Sequence, residues 1–123
     1  MDRKSEQVQR HFNLIRVEDP RRLSGLALRR VPGEGILIEN FCRVVLVDVG
    51  QDEVELAIAG IQGTDFTATT TSIERHKLKL HRTYRFDGTD YLINIRHYNR
   101  GAMRFTIKCP RDVKVMRDEL LTS

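Results

Sequence analysis

Four cations, Lys108, Arg111, Lys114 and Arg117, lie along one stretch from Ala102 to Leu120, while the nearby acids Asp112, Asp118 and Glu119 gather at its corner and its end. That arrangement suits contact with a polyanion. Lysine offers a compact charge for phosphate, and arginine a planar fork that can pair with a base edge. No comparable set points to catalysis. His11, His76, His81 and His97 lack metal-ligand spacing, Cys42 and Cys109 have neither a CxxC arrangement nor a neighbouring histidine, and Gly33-Glu34-Gly35 is too short for a phosphate-binding loop. His76 and His81 would fall on opposite faces of a strand. The expectation is a non-enzyme without metal or cofactor, its histidines at the surface.

The cationic stretch carries its own structural signal. Met103, Phe105 and Ile107 alternate with polar residues, Pro110 interrupts the run because it has no amide donor, and Val113 and Val115 resume it. This predicts two strands joined by a proline corner. The same period of two runs back to Leu26. Leu26 and Leu28 lead through the turn Val31-Pro-Gly-Glu-Gly35 to Ile36 and Ile38; Phe41 to Val49 is a longer strand, Gly50-Gln-Asp52 a turn, and Val54, Leu56 and Ile58 the next strand. The Thr-rich stretch after Phe66 is a weaker strand signal. Leu78 with Leu80, Tyr84 with Phe86, the Asp87-Gly88 turn, and Tyr91, Ile93 and Ile95 complete an antiparallel meander. The expected class is mainly β, with antiparallel sheets in a barrel-like sandwich.

The first 22 residues read differently. Val8, Phe12 and Ile15 recur at helical spacing in a polar background, which predicts a short amphipathic helix over about Ser5 to Arg16, ended by Asp19-Pro20. Such a helix would pack on the domain or dock a protein partner.

At 123 residues, 40% of them hydrophobic, the chain suits one compact domain with one core. A net charge of +4 and a pI near 9.4 tilt it mildly toward polyanions, without the excess of a histone-like protein. Cys42 and Cys109 sit inside strand-like runs and read as reduced thiols. The apolar runs are too short to span a membrane, and no hydrophobic signal region follows Met1, so the expected location is cytoplasmic.

Sliding the chain along itself brings Cys42, Val44, Leu46, Val54, Leu56 and Ile58 onto Tyr91, Ile93, Ile95, Met103, Phe105 and Ile107, with the turns in register. The spacing of strand, turn and strand predicts two copies of one five-strand unit. The expected division is an extension over 1–22, a first repeat over 23–75 and a second over 76–123, the repeats forming one domain.

Laid out in this way, the sequence resembles the carbon storage regulator (CsrA/RsmA) family of small bacterial messenger-RNA-binding proteins. Leu26-Ala-Leu-Arg-Arg-Val-Pro-Gly-Glu-Gly-Ile-Leu-Ile38 matches that family's opening. Met103-Arg-Phe-Thr-Ile107, Cys109-Pro-Arg-Asp-Val-Lys-Val115 and Met116-Arg-Asp-Glu-Leu120 are similar to its fourth strand, its corner with the fifth strand, and the segment that follows. The resemblance implies a homodimer-like arrangement within one monomeric chain, each RNA site combining the first strand of one copy with the fifth of the other. The implied ligand is a GGA sequence in a hairpin loop of a messenger or small regulatory RNA, and the implied role is control of translation or stability.

Carried over residue by residue, the implied RNA-binding positions are Leu28, Arg29 and Arg30 in the first strand, and Pro110, Arg111, Val113, Lys114, Val115 and Arg117 in the corner and fifth strand. The other site is expected to be degenerate. Its fifth strand would fall on the region after Phe66, with Ala68 or Thr70 in place of arginine, and its first strand on Leu78-Lys-Leu-His-Arg82, without the Gly-Glu turn. The alternative is a protein-interaction scaffold or antagonist descended from such a regulator, without tight RNA binding.

Overall fold

The computed structural model describes residues 12–18, 25–61 and 73–117. Its strands, in chain order, are β1 (Leu14–Val17), β2 (Leu26–Arg30), β3 (Gly35–Ile38), β4 (Cys42–Val49), β5 (Glu53–Gly60), β6 (Glu74–Lys79), β7 (Thr83–Phe86), β8 (Leu92–Asn99), β9 (Ala102–Lys108) and β10 (Val115–Arg117). They form two antiparallel five-stranded sheets, ordered β1-β7-β8-β9-β2 and β10-β3-β4-β5-β6. The class is mainly β, as the period-two alternation predicts.

Alternation fixes what goes inside. Ile36, Ile38, Cys42, Val44, Leu46, Val54, Leu56 and Ile58 from one sheet and Phe86, Ile93, Ile95, Met103, Phe105 and Ile107 from the other close into a single core. Charged neighbours such as Arg43 and Arg104 stay outside. Register holds the two sheets to one plan. Val44 faces Ile58 and Leu46 faces Leu56 across β4 and β5, and Ile93 faces Ile107 and Ile95 faces Phe105 across β8 and β9.

The connections between sheets follow the same plan. After β2 the chain turns at Gly33, with φ 96°, and its amide donates to the Leu46 carbonyl at 2.8 Å. After β6 it turns at His81, with φ 64°, and that amide donates to the Ile95 carbonyl at 2.9 Å. Glycine adopts this left-handed conformation without strain, whereas histidine meets a steric cost.

Three of the four outer strands pair far along the chain, β1 on β7, β2 on β9 and β10 on β3, while β6 pairs with the strand before it. β2 lies on β9, with Leu28 opposite Phe105 and Arg30 opposite Met103, and β6 lies on β5, with His76 opposite Leu56 and Leu78 opposite Val54. Gly25 lets β2 approach so closely: a β-carbon there would collide with the Ile107 carbonyl.

The N-terminal helix is not found. Residues 5–11 of that expectation lie outside the described residues, and from Phe12 the chain runs extended into β1, where Leu14 pairs with Phe86 and Arg16 with Tyr84. The recurrence of Val8, Phe12 and Ile15 is outweighed by the open edge of β7, which satisfies the backbone of β1, and by the pocket that buries Phe12. Ile15, assigned to the buried stripe, is exposed. No helix among the described residues is long and apolar enough to cross a membrane.

Candidate nucleic-acid interface

β2 and β10 are edge strands of different sheets, so among the described residues one side of each backbone has no neighbouring strand. The turn that follows β2 leads into β3, and β3 carries β10. Arg117 lies opposite Ile36 in that ladder, while the Arg30 guanidinium donates to the carbonyl of the preceding residue, Gly35, at 3.2 Å. The Arg30 side chain and the Arg117 backbone therefore reach adjacent residues, Gly35 and Ile36.

The proline corner sets the approach of β10. Pro110 accepts from the Val113 amide at 3.0 Å, and the Lys114 carbonyl accepts from the Glu39 amide at 2.9 Å, extending the pairing one residue beyond the strand. The Lys114 amide in turn donates to Glu39 Oε1 at 3.1 Å. Val113 and Val115 pack half-buried against the core, which leaves Arg117, on the same strand face, exposed at its end. Arg29, Arg111 and Lys114 are exposed as well, and Leu28 is half-buried.

Arg30 has a different environment from the other arginines. Its side chain is only 3% exposed, bonded to the carbonyls of Arg29 and Gly35 and 3.8 Å from Glu34 Oε1. The same Glu34 oxygen accepts from the Val31 amide at 3.1 Å. Arg30 and Glu34 thus lock the turn, and Arg30 does not project into solvent.

Cys109 lies at the inner side of the corner with Sγ 4.0 Å from the Val113 carbonyl, and burial, followed by the Asp112 charge, pushes its thiol pKa up. Tyr91 is pushed the same way by burial and then by Cys109, Asp112 and Cys42. Both are held neutral around the corner. Among the described residues, no group of three His, Cys, Asp or Glu is placed to hold a metal ion.

The opposite pair of edges is β6 and β1, and here two sequence expectations fail. The edge beside β7 is occupied by β1, in the place expected for the Thr-rich region after Phe66; that region falls within residues 62–72, which lie outside the described residues. The strand at the other edge is Glu74–Lys79, with Leu80 to Arg82 in the turn, so the strand expected at Leu78 to Arg82 is displaced toward lower numbers. Sequence reasoning also missed Arg16. Phe12-Asn-Leu-Ile-Arg16 parallels Val113-Lys-Val-Met-Arg117, apolar at the first and third positions and arginine at the fifth, but it precedes β2, whereas the family order puts such a strand after β5. Comparison with known proteins finds no matching family model, curated protein or solved structure.

Proposed function

We propose that the chain is an RNA-binding regulator whose β2–β10 edge holds a GGA sequence displayed in the loop of a messenger or small regulatory RNA. The observation that carries this reading is the convergence of two edge strands at Gly35-Ile36 with Arg117 exposed beside them. Unpaired bases present donors and acceptors that edge-strand backbone groups can meet, and an arginine fork matches two acceptors of guanine. Arg117 supplies the fork. Arg29, Arg111 and Lys114 hold phosphates, the backbones of Leu28 to Arg30 and Val113 to Val115 line the groove, and Pro110 sets the corner.

Arg30 acts through the turn that it locks. The resemblance to the carbon storage regulator family supports the same assignment, with the chain as a tandem, single-chain counterpart of that family's dimer. Both halves then fold without a bimolecular association step. Occupying a leader RNA near the ribosome entry site would modulate translation.

Titration of a fluorescent GGA hairpin tests the reading. Binding is expected to weaken as salt rises and when the loop is scrambled, and Arg117→Ala is expected to cost about 1–3 kcal/mol. Equal affinity for scrambled and GGA loops would overturn it.

A further inference from the structure

We infer that the β1–β6 edge is a second RNA site, with Arg16 in the role given to Arg117; the inference rests on the RNA reading of the β2–β10 edge. Ladder register carries the argument. Arg117 lies opposite Ile36 and Val115 opposite Ile38, while Arg16 lies opposite Tyr84 and Leu14 opposite Phe86. Ile36 and Tyr84 are themselves equivalent, since Ile36 faces Val44 and Tyr84 faces Ile93 on the next strand in, and Val44 and Ile93 occupy matching places in their sheets.

The match continues in the backbone beyond the strands. Glu39 donates its amide to the Lys114 carbonyl at 2.9 Å, and Asp87 donates its amide to the Asn13 carbonyl at 2.8 Å. Arg117 closes β10 and Arg16 is the last residue but one of β1, and the two share their pairing position, the added hydrogen bond and inward apolar residues two and four positions earlier. Leu14 packs against the core as Val115 does, and Phe12 takes the place of Val113.

The partner strand is in place too. The Phe12 amide donates to Glu74 Oε1 at 3.1 Å, tying the start of β1 to the start of β6. At the other end, the Lys79 amide donates to the Tyr84 hydroxyl at 3.1 Å, the position corresponding to Val31 and its Glu34 cap. A neutral hydroxyl replaces the carboxylate, and Arg82 stands where the first turn has Glu34. The rim therefore keeps exposed cations in Arg16, Lys77 and Arg82. Arg16 contacts Glu18 at 3.5 Å, but with 50% and 86% of their side chains exposed, that pair is weak and can yield to RNA.

The molecule is accordingly bivalent, gripping one loop at each end through an arginine from opposite ends of the sequence. Native mass spectrometry and calorimetry of the full chain with a single GGA hairpin test this. The wild type is expected to bind two hairpins, Arg16→Ala and Arg117→Ala one each with the remaining affinity intact, and the double variant none with measurable affinity. At its own site, each substitution is expected to weaken binding by roughly ten- to a hundredfold. Arg16→Lys, which keeps charge but loses the fork, is expected to weaken its site as well, whereas a role in folding would leave it normal.

One hairpin per wild-type chain, lost in Arg117→Ala and unaffected by Arg16→Ala, would overturn the second site and leave the first standing. One hairpin lost only in Arg16→Ala would support the β1–β6 site and remove the first. No binding by the wild type would overturn both.

Discussion

The two ends of the sandwich reach one geometry by different routes. At the β2–β10 end the arginine strand is the last of the described strands, and its turn is locked by Arg30 and Glu34; at the β1–β6 end the arginine strand is the first of them, and its turn is capped by Tyr84. The sheet constrains where a strand lies and which face it buries. It does not require that strand to come from any one part of the sequence, because an edge such as that of β7 accepts whatever segment supplies matching amides and inward apolar groups.

The anchoring of the two arginine strands separates the ends most sharply. Phe12 is 5% exposed and joins an aromatic group with Phe41 and Phe86 at centroid distances of 5.4 and 6.3 Å, while its counterpart Val113 is only half-buried. Phe12→Ala is expected to cost about 3–5 kcal/mol in denaturant unfolding and to strip hydrogen-exchange protection from β1. Val113→Ala, removing less buried surface, is expected to cost about 1 kcal/mol. Equal losses would mean that the two strands are held alike.

Arg30 offers a second contrast, since Leu78 holds the corresponding register position at the other end. Arg30→Leu is expected to preserve the fold at a cost of about 1–3 kcal/mol, because the Gly35 carbonyl loses its buried donor. A variant as stable as the wild type would show that the charge does not lock the turn. The smallest effects belong to the caps. Glu34→Ala and Tyr84→Phe are each expected to cost about 1 kcal/mol or less, with faster amide exchange confined to Val31 in the first and Lys79 in the second. Exchange altered at both amides by either change would contradict the equivalence of the turns.

Much of the fold was legible because it was periodic. Val44, Leu46, Val54, Leu56, Ile58, Ile93, Ile95, Met103, Phe105 and Ile107, assigned inward by alternation, are all buried. The cationic corner was legible because Pro110 breaks that alternation where the chain bends. β1 was not legible, since Val8, Phe12 and Ile15 fall at helical spacing and its hydrogen bonds depend on β7, far along the chain. Arg30 was misleading for a related reason. Its neighbours Arg29 and Val31 show nothing of the Gly35 carbonyl and Glu34 carboxylate that draw its guanidinium inward, and these follow only from the turn at Gly33.

Amide chemical-shift mapping during titration with a GGA hairpin tests the central claim most directly. The account predicts perturbations on Leu28 to Val31 and Val113 to Arg117 that disappear in Arg117→Ala, while any at the β1–β6 edge persist. Perturbations gathered instead on the outer sheet face around Arg43, Val45 and Ala57, and unchanged in that variant, would contradict it.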